Sequence, residues 1–332
     1  MNHPQQFVLV YDVGGSHISA AVCESESFRL RGLSQAPLPS EGSGHISAAS
    51  FGRLIHTLGE TAAASAQIPL SNISGASLAM PGPFDYENGI SQMKHKLPAL
   101  FGVDLKSALA TRFGWQPSAL RFVNDAAAFL LGEMGAGAAR GFDRAIGITL
   151  GTGIGCAFGI HNDKGSHIAI PSDQPNGDPG VPPGGEIWNL PYNNATVEDF
   201  VSTRFLRGQY QVFTGVEAEV SAIADKAKGD HPCPEPPAIL PPEDPFAAHC
   251  RAREAFRDFG RHLGLALDQH CAAFHPDVIV FGGGISRAHH LFLPAARRAM
   301  TGIHAELVIS RLMDEAPLTG AGVRWFTAQA MA

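Results

Sequence analysis

The apolar run Phe7-Val8-Leu9-Val10 leads directly into Tyr11-Asp12-Val13-Gly14-Gly15-Ser16-His17, and a second apolar run, Ile18 to Cys23, returns at once. Two such runs separated by a glycine pair read as a β-hairpin. A sheet therefore begins here, with a carboxylate at the end of its first strand and a turn lacking Cβ atoms. The N–H groups of such a turn can approach a polyanion, and the neighbouring carboxylate suits a hydrated Mg²⁺. Taken alone, the feature is equally a tight structural turn.

Two further runs repeat the device. Arg144-Ala-Ile-Gly-Ile-Thr-Leu150 opens into Gly151-Thr152-Gly153-Ile154-Gly155, and Asp277-Val-Ile-Val-Phe281 opens into Gly282-Gly283-Gly284-Ile285-Ser286. Three strand-to-glycine turns, two with hydroxyl residues inside, point to a nucleotide held between two lobes. Other nucleotide-binding patterns fail. No Gly-x4-Gly-Lys-Ser/Thr occurs, which excludes a P-loop. Gly135-Ala-Gly137 has Arg140 where a dinucleotide fingerprint needs its third glycine, and it reads as a glycine-rich helix stop.

Between these turns, Phe51, Leu54, Ile55, Leu58 and Ala62 recur at helical spacing. Ile73 to Met80 reads as a strand, Leu105 to Phe113 as a helix stopped near Gly114, and Phe122-Val123 as a strand end. A helix over Ala126 to Met134 follows, so Asn124-Asp125 stands at a helix N-terminus, where such residues often serve only as caps. Phe256, Phe259, Leu263, Leu267 and Phe274 form the stripe of a long helix leading into the Asp277 strand. Asn162 to Gly184 and His231 to Pro245, the latter with seven prolines, read as irregular. No internal repeat is visible.

The 332 residues give room for two lobes with real cores, and 45% hydrophobic with 17% charged residues is ordinary globular composition. A net charge of −7 with no basic run argues against a nucleic-acid surface. Met1 to Gln6 is too short for a signal peptide, and no apolar run reaches membrane-spanning length. The five cysteines are scattered, with no Cys-x-x-Cys pair, and imply reduced thiols and a cytoplasmic enzyme.

With these motifs in order, the chain resembles the ROK family of sugar kinases and regulators, within the actin-like ATPase fold. Asp12-Val-Gly-Gly-Ser16 is similar to the family's first phosphate loop, and Met80-Pro81-Gly82-Pro83-Phe84-Asp85 to its Pro-Gly segment. Val123-Asn124-Asp125-Ala126 resembles its Asn-Asp motif, and Leu150-Gly-Thr-Gly-Ile-Gly155 its second phosphate loop. Gly185-Glu186-Ile187 resembles the start of its Gly-Glu-Ile/Leu-Gly-His motif, and Phe281-Gly-Gly-Gly-Ile-Ser286 its adenosine loop.

The resemblance implies an α/β, two-lobed actin-like ATPase (ribonuclease H-like) fold with nucleotide and sugar in the interlobe cleft. The small lobe is expected over residues 1–121 with a C-terminal helix at about 325–332, and the large lobe over 122–324. It implies ATP and Mg²⁺ as partners of the reaction, a small-molecule sugar as substrate, and a homodimer. Asp125 matches the catalytic aspartate, which would accept the proton of the attacking hydroxyl. Asn124, Glu186 and Glu198 match sugar-binding positions. Asp12 would order Mg²⁺ through water. The amides of Gly14, Gly15, Ser16, Gly151, Thr152 and Gly153 would cradle phosphates, and Gly282, Gly283 and Gly284 would pack on the nucleoside. Surface glutamates and a plain helix cap are the competing readings of the acids and of Asn124.

The chain departs from the family at its zinc motif. Asn189 stands at the histidine position, and Glu186 to Glu198 contains no cysteine, so no zinc is expected there. Asn189 can still bond a sugar hydroxyl, while Trp188 and Tyr192 either pack this loop or stack on a sugar. Lys96 and His17 replace an Asn and a Lys common among relatives. The first phosphate loop begins at residue 12, leaving no room for the DNA-binding extension of the family's repressors. The resemblance thus implies a glucokinase-like enzyme acting on a hexose or related sugar, with the 6-hydroxyl as the family's habit; the sequence itself identifies neither the sugar nor the hydroxyl. A catalytically silent sugar sensor or scaffold, and an actin-like ATPase acting on protein partners, are the rivals.

Overall fold

The computed structural model describes residues 6–38, 46–94, 97–163, 165–229, 233 and 245–330. Lys96 and nearly all of the His231–Pro245 segment lie outside them.

The opening hairpin is present. Strands β1 (Phe7–Val13) and β2 (His17–Glu24) run antiparallel with Asp12 opposite Ser19, and the Gly14 N–H donates to the His17 carbonyl at 3.0 Å to close the turn. Strand β3 (Leu30–Pro37) adds antiparallel to β2. Its alternating exposure marks a one-sided edge strand. Helix α1 (Ala48–Ala66) buries Phe51, Ile55, Leu58 and Ala62, of which each of the first three contributes roughly 1.5–3 kcal/mol. Strand β4 (Ile73–Met80) then lies parallel to β1. A short ribbon, β5 (Phe84–Asp85) and β6 (Ile90–Ser91), precedes α2 (Leu105–Phe113), which Asp104 caps and the left-handed Gly114 ends. Strand β7 (Leu120–Asn124) joins parallel to β4 and runs into α3 (Asp125–Ala136), completing a sheet of order β3-β2-β1-β4-β7.

The second sheet repeats the plan. Strands β8 (Arg144–Leu150), β9 (Ile154–Asn162) and β10 (Gly165–Ile168) are followed by the ribbon β11 (Pro191–Tyr192) and β12 (Ala195–Thr196). Helices α4 (Val197–Phe200), α5 (Thr203–Thr214), α6 (Val220–Lys226) and α7 (Pro245–Cys271) come next. Strand β13 (Val278–Gly282), helix α8 (His289–Ala299), strand β14 (Glu306–Ile309) and helix α9 (Ala316–Ala330) finish the chain. The order β10-β9-β8-β13-β14 is again third, second, first, fourth, fifth, with β13 parallel to both β8 and β14. Strand β10 corrects the expectation that Asn162 to Gly184 is wholly irregular. Gly165 turns with φ +98° and lets residues 165–168 pair back on β9.

The chain divides into two compact units, Met1–Phe142 with Gly159–Ile168 and Ser310–Ala332, and Asp143–Phe158 with Ala169–Ile309. These limits differ from the expected boundary at 121/122. The cause is helix α3, which packs backbone to backbone on α9: a Cβ on Gly132 would strike the Ala316 carbonyl, and one on Gly320 the Ala128 carbonyl. Asn124 and Asp125 therefore share a unit with Asp12. Buried Glu133 of α3 reinforces this, since its carboxylate accepts from Ser310 Oγ at 2.6 Å, Leu312 N at 3.0 Å and Ala138 N at 2.6 Å.

The cysteines correct a further expectation. Cys233 and Cys250 form a disulfide, whereas Cys23, Cys156 and Cys271 are free and buried. No described helix is long and apolar enough to cross a membrane.

Candidate active site

In the first unit the carboxylates stand at strand ends because strand interiors here are filled with apolar side chains. Asn124, the last residue of β7, is the N-cap of α3: the Ala127 N–H donates to its Oδ1 at 3.1 Å. The other end of the same amide is also engaged, Nδ2 donating to Tyr86 Oη at 3.1 Å, and Tyr86 OH donates to the Met80 carbonyl at 3.2 Å. The cap reading of Asn124 is thus correct in itself, and Tyr86 is a neighbour that sequence reasoning missed. Asp125 occupies the first turn of α3, where the helix dipole favours a carboxylate, and its Oδ1 accepts from Ala126 N at 2.9 Å.

Asp12 is crowded by protein, and this burial, followed by the charges of Asp125 and Asp314, pushes its pKa up to about 7. Asp314 lies in the turn Met313–Glu315 before α9 and carried no motif in the sequence. Asp12 is a buried carboxylate that feels the charges of two others, a place that a divalent cation would relieve, so the residues present fit Mg²⁺ at Asp12. No group of three His, Cys, Asp or Glu side chains able to hold a metal by themselves occurs among the described residues.

The glycines of the predicted phosphate loops divide by what their environment requires. A Cβ on Gly15, Gly151 or Gly284 would meet no protein atom within 4 Å. Packing does not demand glycine at these three positions. Gly283 differs: its φ is +83°, and a Cβ would strike the backbone of Leu150. Gly153 differs too, because a Cβ there would collide with the Glu198 carboxylate. The amides of Gly14 and Gly151 are spent closing their own turns, onto the carbonyls of His17 and Gly153, both at 3.0 Å. Ser16 Oγ lies 3.1 Å from His17 Nδ1.

In the second unit Glu198 of α4 therefore lies directly against the Gly151–Gly153 turn. Thr203 ties the same loop to α5, its N–H and hydroxyl reaching the Gly151 carbonyl at 3.0 and 2.8 Å. Glu186 accepts a 2.6 Å hydrogen bond from Trp188 Nε1, so the exposed indole holds the carboxylate in place. Asn189 is exposed.

The segment Glu186–Glu198 is organised without zinc ligands. Asn193 and Asn194, both with positive φ, turn the β11–β12 hairpin, and a capping box of Thr196 and Asp199 starts α4. Tyr192 Oη meets His262 Nδ1 of α7 at 2.9 Å, and the rings of Phe200 and Phe205 pack on the same imidazole at 4.9 and 5.2 Å. Burial and the Arg261 charge hold the His262 pKa below its usual value. Tyr192 is thus a packing residue. His262, Phe200 and Phe205 were missed because no local signal links positions 192 and 262.

The sequence model described as "ROK family" matches residues 9–167 and 246–326. The chain is 27% identical over 332 residues to a glucokinase of Thermotoga maritima, covering 96% of each chain. Its fold matches that of a ROK hexokinase from Thermus thermophilus with TM-score 0.74 at 21% identity, over 98% of this chain and 100% of that one. It also matches a ROK family glucokinase from Streptomyces griseus in complex with glucose and AMPPNP, with TM-score 0.65 at 21% identity, over 95% and 97% of the two chains. The α/β actin-like ATPase fold implied by the motifs is the fold these structures share.

Proposed function

The chain belongs to the ROK family, and we propose that it is an ATP-dependent sugar kinase acting on a hexose or related sugar, at the 6-hydroxyl, with Asp125 as general base. The observation that carries this reading is the pairing of Asp125 at the head of α3 with Asp12, close enough for their charges to interact, in the unit that holds the Gly14-Gly15 turn. In this reading Asp125 takes the proton of the attacking hydroxyl, Asn124 orients a neighbouring hydroxyl, and Glu186, Glu198 and Asn189 bind the rest of the sugar. Mg²⁺ at Asp12 would neutralise charge on the phosphates of ATP. The cradle falls to the amides of Gly15, Ser16, Thr152 and Gly153, since those of Gly14 and Gly151 are already engaged. Gly282, Gly283 and Gly284 serve the nucleoside. Assembly as a homodimer belongs to the same reading.

The test is to incubate the protein with radiolabelled ATP and hexoses, then identify the product by mass spectrometry. Label should appear on the sugar, and the matching 6-deoxyhexose should accept none. Transfer to the 6-deoxyhexose would remove the 6-hydroxyl from the reading.

A further inference from the structure

The first unit contains a cavity of about 800 Å³ that shares Asn124 with the candidate site and whose basic residues have no role in the reaction above. It runs along the edge strand β7, and its size falls in the range of small-molecule sites. Three basic side chains line it, Lys106 of α2, Arg121 of β7 and Arg324 of α9, against the single carboxylate Glu87. In a chain of net charge −7 this is a local inversion of sign. Lys106 Nζ is anchored to the Glu87 carbonyl at 2.7 Å. The Arg121 guanidinium lies over the ring of buried Trp325, 5.1 Å from its centroid, and its Nε is buried with no hydrogen-bond partner among the described residues. Burial and the like charge of Arg324 both press the Arg121 pKa downward. Guanidiniums of like charge that line one cavity are stabilised by an anion bound in it, and guanidinium geometry matches phosphate. Leu120 and Ile168 add apolar wall for an uncharged body.

We propose that this cavity binds a small organic phosphate, held by Arg121 and Arg324 with Lys106. Tyr86 and Asn124, bonded to each other, also line it, so an occupant would touch the residue assigned above to the sugar. That coupling rests on the kinase reading; the binding itself does not.

Calorimetric titration with glucose 6-phosphate and, separately, inorganic phosphate tests it on the wild-type protein, R121Q and R324Q. Far-UV circular dichroism checks the fold, and exposed Arg324 gives the safer variant. The ester should bind the wild type more tightly than inorganic phosphate does, and each substitution should weaken it by roughly tenfold or more. The ester should also raise the melting temperature of the wild type more than that of either variant. No binding to the wild type would overturn the proposal. So would equal affinity in the variants, which places the anion on the glycine turns instead. Inorganic phosphate binding as tightly as the ester would overturn the role given to the apolar wall. None of these readouts depends on turnover, so failure of the kinase reading leaves them interpretable.

Discussion

In the first sheet Asp12 is the next-to-last residue of the strand that opens the hairpin, and the fifth strand ends in Asn124, followed by Asp125. In the second sheet, built in the same strand order, the corresponding strands end in Leu150, followed by Gly151, and in Ile309. The shared plan delivers a hairpin turn and a row of parallel strand ends to equivalent places. Packing constrains the strand interiors to apolar residues and leaves the ends free to differ. At the equivalent strand ends the first sheet carries the carboxylates Asp12 and Asp125 beside a glycine turn, whereas the second carries a glycine turn at Gly151 and no carboxylate at Leu150 or Ile309. Carboxylates and glycine turns can thus be disturbed separately.

The sharpest way to break the comparison is Asp125→Asn. Turnover should fall by roughly two to four orders of magnitude while nucleotide and sugar affinities stay within a few-fold, because only proton acceptance is lost. Next come the glycines. Gly283→Ala forces a side chain onto a left-handed backbone against Leu150 and should cost about 3 kcal/mol in denaturant unfolding. Gly15→Ala should leave stability within about 0.5 kcal/mol and instead weaken nucleotide binding, because the space beside it is open. A stability loss at Gly15 equal to that at Gly283 would erase the distinction.

Asp12 gives a pH signature. Its folded pKa is raised from 3.8 to about 7, so between those values the folded chain keeps a proton that the unfolded chain has released. This group's contribution therefore makes stability fall as pH climbs through that window in Mg²⁺-free buffer, and Asp12→Asn should flatten the slope of melting temperature against pH. The smallest effect concerns the Glu186–Glu198 loop. Tyr192→Phe removes its hydrogen bond to His262 and should cost about 1 kcal/mol. A chelator should leave the melting temperature unchanged; a large drop would mean that a metal holds the loop after all.

Much of this was legible in the sequence because it is local. The bounds of β4 and α2 followed from apolar spacing and from Gly114, and the three glycine turns announced themselves as runs ending in glycine. What stayed hidden was long-range or polar. Strand β10 reads Gly-Ser-His-Ile and has no alternation to show. The contact of Glu133 with Ser310 spans 177 residues, and it is such contacts that draw α3 and Asp125 into the first unit. The likeness of the two sheets leaves no visible repeat in the sequence, because apolar residues exchange freely within strands while the topology persists.

The measurement that bears most directly on the account is Mg-ATP turnover by coupled ADP release against a panel of hexoses, hexosamines and N-acetylhexosamines, with a no-sugar blank. The account predicts ADP release well above the blank with at least one sugar. Nucleotide and sugar binding with no sugar-stimulated release across the panel would contradict it and favour a silent sugar sensor.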